Sequence, residues 1–157
     1  SQNSTSKSET VNENKVVTAI ISKNDYFPNL SLDSNKIKRL YDVLVGNKFI
    51  SGDTDYSVFH FRFSGTDKPR CLSEIICIRD KKQLSYLIYR LTRKEICNEK
   101  CEDTDTTRDF NKKVKAFFNV KKEAWKDNDN ISDMVRKISD DKQKEILKLL
   151  KEALETN

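Results

Sequence analysis

Four cysteines and a single histidine are the residues of this sequence best suited to binding a metal ion. Cys97 and Cys101 are four residues apart, so on a helix they would share a face, and His60 could add a nitrogen ligand. Zinc sites usually combine two closely spaced pairs of ligands, whereas this sequence has one loose pair and no CxxC. We therefore expect reduced, partly buried thiols at all four positions, including Cys71 and Cys77, with no metal and no cofactor. A disulfide between Cys97 and Cys101 is the minor alternative.

Residues that could support catalysis are few. Three glycines are too few for a phosphate-binding loop, and neither GxSxG nor HExxH occurs. The carboxylates fall in capping positions and on charged faces, and His60 is expected to be a half-exposed helix residue. We therefore expect a protein that is not an enzyme, and keep a cryptic active site built from carboxylates as the third functional hypothesis.

Lysine and arginine side chains form two clusters that could neutralise phosphates. The first is Lys36, Lys38, Arg39 and Lys48, and the second is Lys112, Lys113, Lys115, Lys121 and Lys122. Phe117 and Phe118 lie within the second cluster and are expected to pack in the core rather than to stack on bases. The net charge of +5 permits nucleic-acid binding without requiring it.

Six of these residues are expected to lie outside the apolar helix stripes, exposed on one surface. They are the candidate DNA-binding residues Lys36, Lys38, Arg39, Lys112, Lys113 and Lys115. About four phosphate contacts would give a log–log salt slope near −3.6. No arginine-rich reading helix is evident, so little discrimination between bases is expected.

Length and composition indicate a small helical protein. A chain of 157 residues with 36% apolar and 35% charged residues suggests one charge-rich domain. Residues 1–14 are polar and are expected to form a disordered arm, followed by a single domain over 15–157. No apolar run reaches the roughly 20 residues of a membrane helix, and no secretory leader is evident. A cytoplasmic location without a membrane partner is therefore expected, and the oligomeric state is left open.

Apolar residues at helical spacing predict most of the fold, and the scarcity of glycine and proline also favours helices. Helices are predicted over 34–47, 80–96, 107–118, 131–138 and 140–155, and a single strand over 75–78. The run "VVTAII" at 16–21 could be a strand or the start of a helix. The predicted class is a mainly α domain of five or six helices with one small β element.

The stretch "DTDYSVFHFRFSG" at 53–65 has two interpretations. As a strand, Phe59, Phe61 and Phe63 would face one way. As a helix over 55–63 it would be capped by Asp53 or Thr54 and end at Gly65, with Phe61 off the buried stripe. The cap weakly favours the helix.

Three segments within residues 40–91 carry a resemblance to known proteins: "LYDVLVGNKFIS", "TDYSVFHFRFSG" and "SEIICIRDKKQLSYLIYRL", about a third of the chain. Together they resemble a module of Bacteroidetes mobile-element proteins. Bearers of the module include the RteC-type regulators of conjugative transposons, which bind DNA and resemble winged-helix proteins. "NVKKEAWKD" departs from the module, which has a glycine-containing turn there.

The resemblance implies that Phe59 and Phe63 belong to a helix, which places His60 and Arg62 largely outside the buried stripe. It also implies a winged-helix-like fold and an accessory or regulatory role in a mobile element, with double-stranded DNA as the partner. The runner-up hypothesis is a protein–protein interaction module that binds no nucleic acid.

We predict that protein purified without added metal contains no stoichiometric zinc. The reasons are the missing second ligand pair and the single histidine. Elemental analysis of the purified protein measures the metal content. One zinc per chain, lost when Cys97 and Cys101 are both replaced by serine, would contradict the prediction.

Overall fold

The computed structural model describes residues 21–27, 32–93 and 107–155, and its architecture is mainly helical with a small two-stranded parallel sheet. A 3-10 turn, Lys23–Asp25, precedes the first helix. The helices are α1 (Ser34–Gly46), α2 (Tyr56–Ser64), α3 (Lys81–Arg93), α4 (Thr107–Phe117), α5 (Ile131–Lys137) and α6 (Asp140–Leu154). The strands are β1 (Ile75–Cys77) and β2 (Phe118–Val120). These elements confirm the predicted class, and no described helix is long and apolar enough to cross a membrane.

Polar residues begin the helices as the sequence indicates, with one shift. Asp33 caps α1, accepting a hydrogen bond from the Lys36 N–H at 2.8 Å, and Ser139 caps α6. The predicted cap of α2 is wrong by one or two residues, because Asp55 rather than Asp53 or Thr54 accepts the N–H of the first turn. The predicted arm over 1–14 and most of the run over 16–21 lie outside the described residues.

Helix α3 lies at the centre of the core. It packs against α5 and α6, while α1 packs against α2 and α6. All residues from 83 to 88 are buried, so α3 has neighbours on nearly every side. Its buried polar residues therefore need partners inside the fold, as Thr92 shows by donating to the Ile88 carbonyl.

The sheet joins two segments that are distant in sequence. Strands β1 and β2 are parallel, with Ile75 opposite Phe118 and Cys77 opposite Val120. Phe118 was expected to end a helix, and this expectation is wrong. Consecutive side chains of a helix point about 100° apart, whereas a strand places Phe118 and Val120 on one buried face and Asn119 in solvent. The change from helix to strand thus buries both Phe117 and Phe118.

The stretch at 53–65 is a helix, as the cap and the resemblance predicted, but it is buried more widely than expected. Phe61 is fully buried beneath the ring of Tyr26, with centroids 6.0 Å apart. Arg62 is also buried; its guanidinium lies 4.0 Å from the Phe117 ring centroid and donates to the Asp25 carbonyl at 2.7 Å. The expectation that Phe61 and Arg62 would lie off the buried stripe is wrong, because residues 21–27 cover that side of α2.

We predict opposite stability changes for alanine at two glycines. Gly65 has a φ of 74°, and a Cβ there would lie 2.5 Å from Tyr26 Cε2, so Gly65→Ala should lose about 2 kcal/mol from backbone strain and this clash. Gly46 ends α1 and a Cβ there meets no atom within 4 Å, so Gly46→Ala should gain up to about 1 kcal/mol. Urea unfolding measures both. A loss at Gly46→Ala, or none at Gly65→Ala, would contradict this packing.

Candidate nucleic-acid interface

The predicted basic cluster on α1 does not form one surface. Lys38 points toward α2, with its Nζ 4.8 Å from the Tyr56 ring centroid and 3.3 Å from the Asp42 carboxylate. Arg39 is half-buried and points toward the end of α6, where its Nε donates to the Ala153 carbonyl at 2.9 Å. This bond satisfies a carbonyl that the last turn of α6 leaves without a helical donor. Lys36 is half-buried too, so Lys38 is the exposed cation of the three.

The predicted basic cluster on α4 is divided in the same way. Lys113 is 4% exposed, so the expectation that it would be solvent-facing is wrong. Lys115 is half-buried, and its Nζ donates to the carbonyls of Asp127 and Asp129, both at 3.1 Å. Lys112 is exposed. Of the three lysines predicted on α4 to contact DNA, Lys112 is therefore the one that faces solvent.

The loop that receives Lys115 also encloses a second lysine. Lys81, at the start of α3, is 6% exposed, and its Nζ lies 2.7 Å from Asp129 Oδ2 and 3.1 Å from Glu123 Oε1. Trp125 in the same loop donates from Nε1 to the Phe118 carbonyl at 2.8 Å. Burial alone would raise the pKa of Asp129, but the hydrogen bonds from Lys81 and the Lys126 N–H outweigh it and lower that pKa.

An exposed set of lysines lies on α6. Lys144, Lys148 and Lys151 are all exposed, and we call them the α6 lysine face. Their spacing of four and three residues places them on one side of the helix, opposite its buried stripe of Ile146 and Leu150. Among the described residues none of the three forms an ion pair, and the neighbouring Glu145 pairs instead with Arg79 at 2.9 Å and Lys142 at 3.5 Å.

The α6 lysine face borders a shallow depression of about 340 Å³ that also includes Leu147. Leu147 is half-buried against the core, so an apolar side chain reaches the surface between three cations. The sequence analysis missed this face. The sequence pattern that indicates this face was present, because the apolar stripe of α6 places these lysines opposite the core. Solvated lysine faces are common, however, and these lysines were not chosen as candidate DNA-binding residues.

More exposed lysines lie at the carboxyl end of the sheet. Lys121 and Lys122 follow β2, and Lys82 lies in the first turn of α3 after β1. Burial would raise the pKa of Asp80, but hydrogen bonds from Gln83, together with the charges of Lys122 and Lys82, lower it. Lys122 and Lys82 are therefore close to a carboxylate that partly balances their charge.

The cysteines within the described residues do not form a metal site. Cys71 is exposed, and Cys77 is buried with its Sγ donating to the Arg79 carbonyl. Burial raises the pKa of the Cys77 thiol to about 12, so it stays protonated near neutrality. No group of three potential ligands clusters anywhere in the described ranges. Cys97 and Cys101 lie outside those ranges, so the expectation for them stays a prediction.

Comparison with known proteins does not assign a family. No family model, no curated protein and no solved structure matches this chain. The resemblance of residues 40–91 to the mobile-element module stays a prediction. Function is therefore argued from the arrangement of side chains.

We predict that Asp129→Asn weakens the fold at neutral pH by about 2 kcal/mol, because it removes the closer of the two carboxylates that pair with buried Lys81. The pKa of Asp129 is lowered in the folded state, so its contribution is present above the unfolded value near 3.8 and is lost as pH falls through the folded value. The stability difference between wild type and Asp129→Asn should therefore shrink at acid pH.

Urea titrations at several pH values measure this difference. The matched control is Asp127→Asn, which alters an exposed carboxylate in the same loop and should change stability little at any pH. Equal losses in the two variants, or a difference that grows as pH falls, would contradict the role given to Asp129.

Proposed function

We propose that this chain binds double-stranded DNA weakly and with little sequence preference, through the α6 lysine face. The observation that carries the proposal is the set of three exposed lysines on one side of α6 without an ion-pair partner among the described residues. A lysine or arginine side chain that already binds a carboxylate or a carbonyl gains less free energy from contacting a phosphate. Unpaired lysines are therefore better suited to phosphate contacts. This supports α6 over the predicted residues Arg39, Lys113 and Lys115.

The dimensions of the α6 lysine face suit a DNA backbone. Lys144 and Lys151 are seven residues apart, which corresponds to about 10 Å along a helix axis. Successive phosphates of one strand of duplex DNA are about 3.4 Å apart along the duplex axis, so this length spans about three of them. Each lysine could therefore meet one phosphate, and Lys38 and Lys112 stay candidates for further contacts.

The lysine side chains of this face favour contacts with the DNA backbone over recognition of base edges. Lysine is a flexible point charge, whereas the rigid fork of arginine suits two-bonded recognition of a base edge. DNA binding with little sequence preference fits an accessory or regulatory protein. The sequence resemblance of residues 40–91 supports placing that role in a mobile genetic element.

A second candidate function is the binding of an acidic protein partner at the same place. The observation that favours it is Leu147, which brings apolar surface into the depression between the lysines. DNA phosphates gain nothing from contact with an apolar side chain, whereas an acidic helix with an apolar face could pack that face against Leu147. The two candidates differ in their response to replacing Leu147.

We predict that the α6 lysine face accounts for the salt dependence of DNA binding. Fluorescence anisotropy on a random-sequence duplex should show binding at low salt, with a log–log slope near −2.7 for three phosphate contacts. Replacing Lys144, Lys148 and Lys151 together by glutamine, which preserves helix propensity, should reduce affinity at least about tenfold and flatten the slope.

The matched control replaces three exposed lysines elsewhere, Lys23, Lys126 and Lys137, by glutamine, so the change in net charge is the same. A control variant that loses as much affinity would show a diffuse charge effect and not a face. Absence of binding by wild type at low salt would end the DNA proposal. Leu147→Gln should keep the DNA affinity of wild type, because phosphates do not contact this side chain. Equal binding of an acidic amphipathic helical peptide to wild type and Leu147→Gln, or no binding to either, would count against the acidic-partner candidate.

A further inference from the structure

A depression of about 310 Å³ lies where the start of α1 meets α2, and it shares no lining residue with the depression at the α6 lysine face. Its lining includes Ser34, Tyr56, Ser57, His60 and Asp67. Ser34 is exposed and is the first residue of α1, while His60 is half-buried in the middle of α2. A hydroxyl and an imidazole thus meet in a cavity that is open to solvent.

Hydrogen bonds link three side chains in a row at this site. Ser34 Oγ lies 3.2 Å from His60 Nε2, and His60 Nδ1 lies 3.3 Å from Ser64 Oγ. Ser64 Oγ is also held from the other side, because it accepts the Thr66 N–H at 3.1 Å. A hydroxyl in reach of a base, with the base oriented by a third group, is the arrangement by which serine nucleophiles are activated.

We propose that Ser34 is a nucleophile activated by His60, and that the site hydrolyses small, activated carboxylic esters. Ser34 Oγ forms a bond to the ester carbonyl carbon while its proton passes to His60 Nε2. The carbon–oxygen bond to the leaving group then breaks, and the leaving oxygen takes the proton from Nε2. Water, deprotonated by the same nitrogen, attacks the acyl group on Ser34 and releases the acid, and the proton returns to Ser34 Oγ.

Ser64 positions the imidazole for this reaction. Nε2 can accept the Ser34 proton only in the neutral tautomer that carries its hydrogen on Nδ1. In that tautomer the Nδ1–H donates to Ser64 Oγ, whose own hydrogen can point to Thr66 Oγ1 at 3.0 Å. The contacts of Ser64 therefore accommodate the tautomer that the reaction needs.

The first turn of α1 supplies partial positive charge beside Ser34. Asp33 accepts the N–H groups of Lys36 and Ile37, which leaves the N–H groups of Ser34 and Asn35 without an acceptor among the described residues. Backbone N–H groups next to a nucleophile stabilise the oxyanion that forms when it attacks a carbonyl. The small, shallow cavity fits a short acyl group with a good leaving group, such as an aryl acetate.

The test is covalent labelling of Ser34 by a fluorophosphonate, in which an oxygen–phosphorus bond forms, the phosphorus–fluorine bond breaks and the proton leaves through His60. Mass spectrometry of peptides should locate the label on Ser34. Ser34→Ala should abolish it, and His60→Gln should slow labelling at least about 100-fold. The control Ser57→Ala removes another hydroxyl of the same cavity and should label at the wild-type rate. Far-ultraviolet dichroism checks that each variant is folded.

A pH profile separates activation by His60 from a structural role. The chain has one histidine, so its imidazole signals in NMR titrate without overlap from another. The labelling rate should rise with pH and have its midpoint at the pH where His60 titrates. Turnover of p-nitrophenyl acetate should fall to background in Ser34→Ala. Labelling elsewhere, a rate that does not follow the titration of His60, or equal rates in His60→Gln and wild type would overturn the proposal.

Discussion

The burial of α3 on nearly every side is the constraint on which the rest of this structure depends. A helix in that position has little solvent-facing surface, so each of its buried polar residues must be matched by a neighbour. Lys81 is the clearest example, because its side chain is 6% exposed and its buried positive charge requires charged partners. The loop at 123–130 provides them, and the same loop binds the carbonyl of the first residue of β2 through Trp125 and caps α5 with Asn130.

The amino-acid sequence alone was sufficient to predict the helices, which depend on local patterns of residues. Helices α1 and α6, for example, each show a polar cap and an apolar stripe, and these features act within a few residues of one another. The pairing of β1 with β2 could not be predicted, because it joins residues 43 positions apart and depends on which face of Phe118 is covered. Likewise, the burial of Phe61 and Arg62 follows from residues 21–27 folding over α2, a contact that no local pattern encodes.

The candidate site was harder to predict because lysines with different roles look the same in sequence. All three of the following lysines fall in basic runs of the sequence. Lys38 lies over aromatic rings, Lys113 is buried, and Lys115 donates to loop carbonyls. Whether a cation is free for a ligand depends on what packs next to it in three dimensions. Counting charges in the sequence therefore overestimates the extent of a basic surface when some lysines and arginines bind other parts of the fold, as Arg39 and Arg62 do here.

Trp125 carries a consequence for how this protein can be observed. It is the only tryptophan in the chain, and its indole is tied to the Phe118 carbonyl beside the ammonium of Lys81. Indole emission shifts to longer wavelength when the ring becomes hydrated, so the intrinsic fluorescence of the protein reports on this loop and on the neighbouring strand. The protein thus contains its own optical probe at the place where the loop, the sheet and the central helix meet.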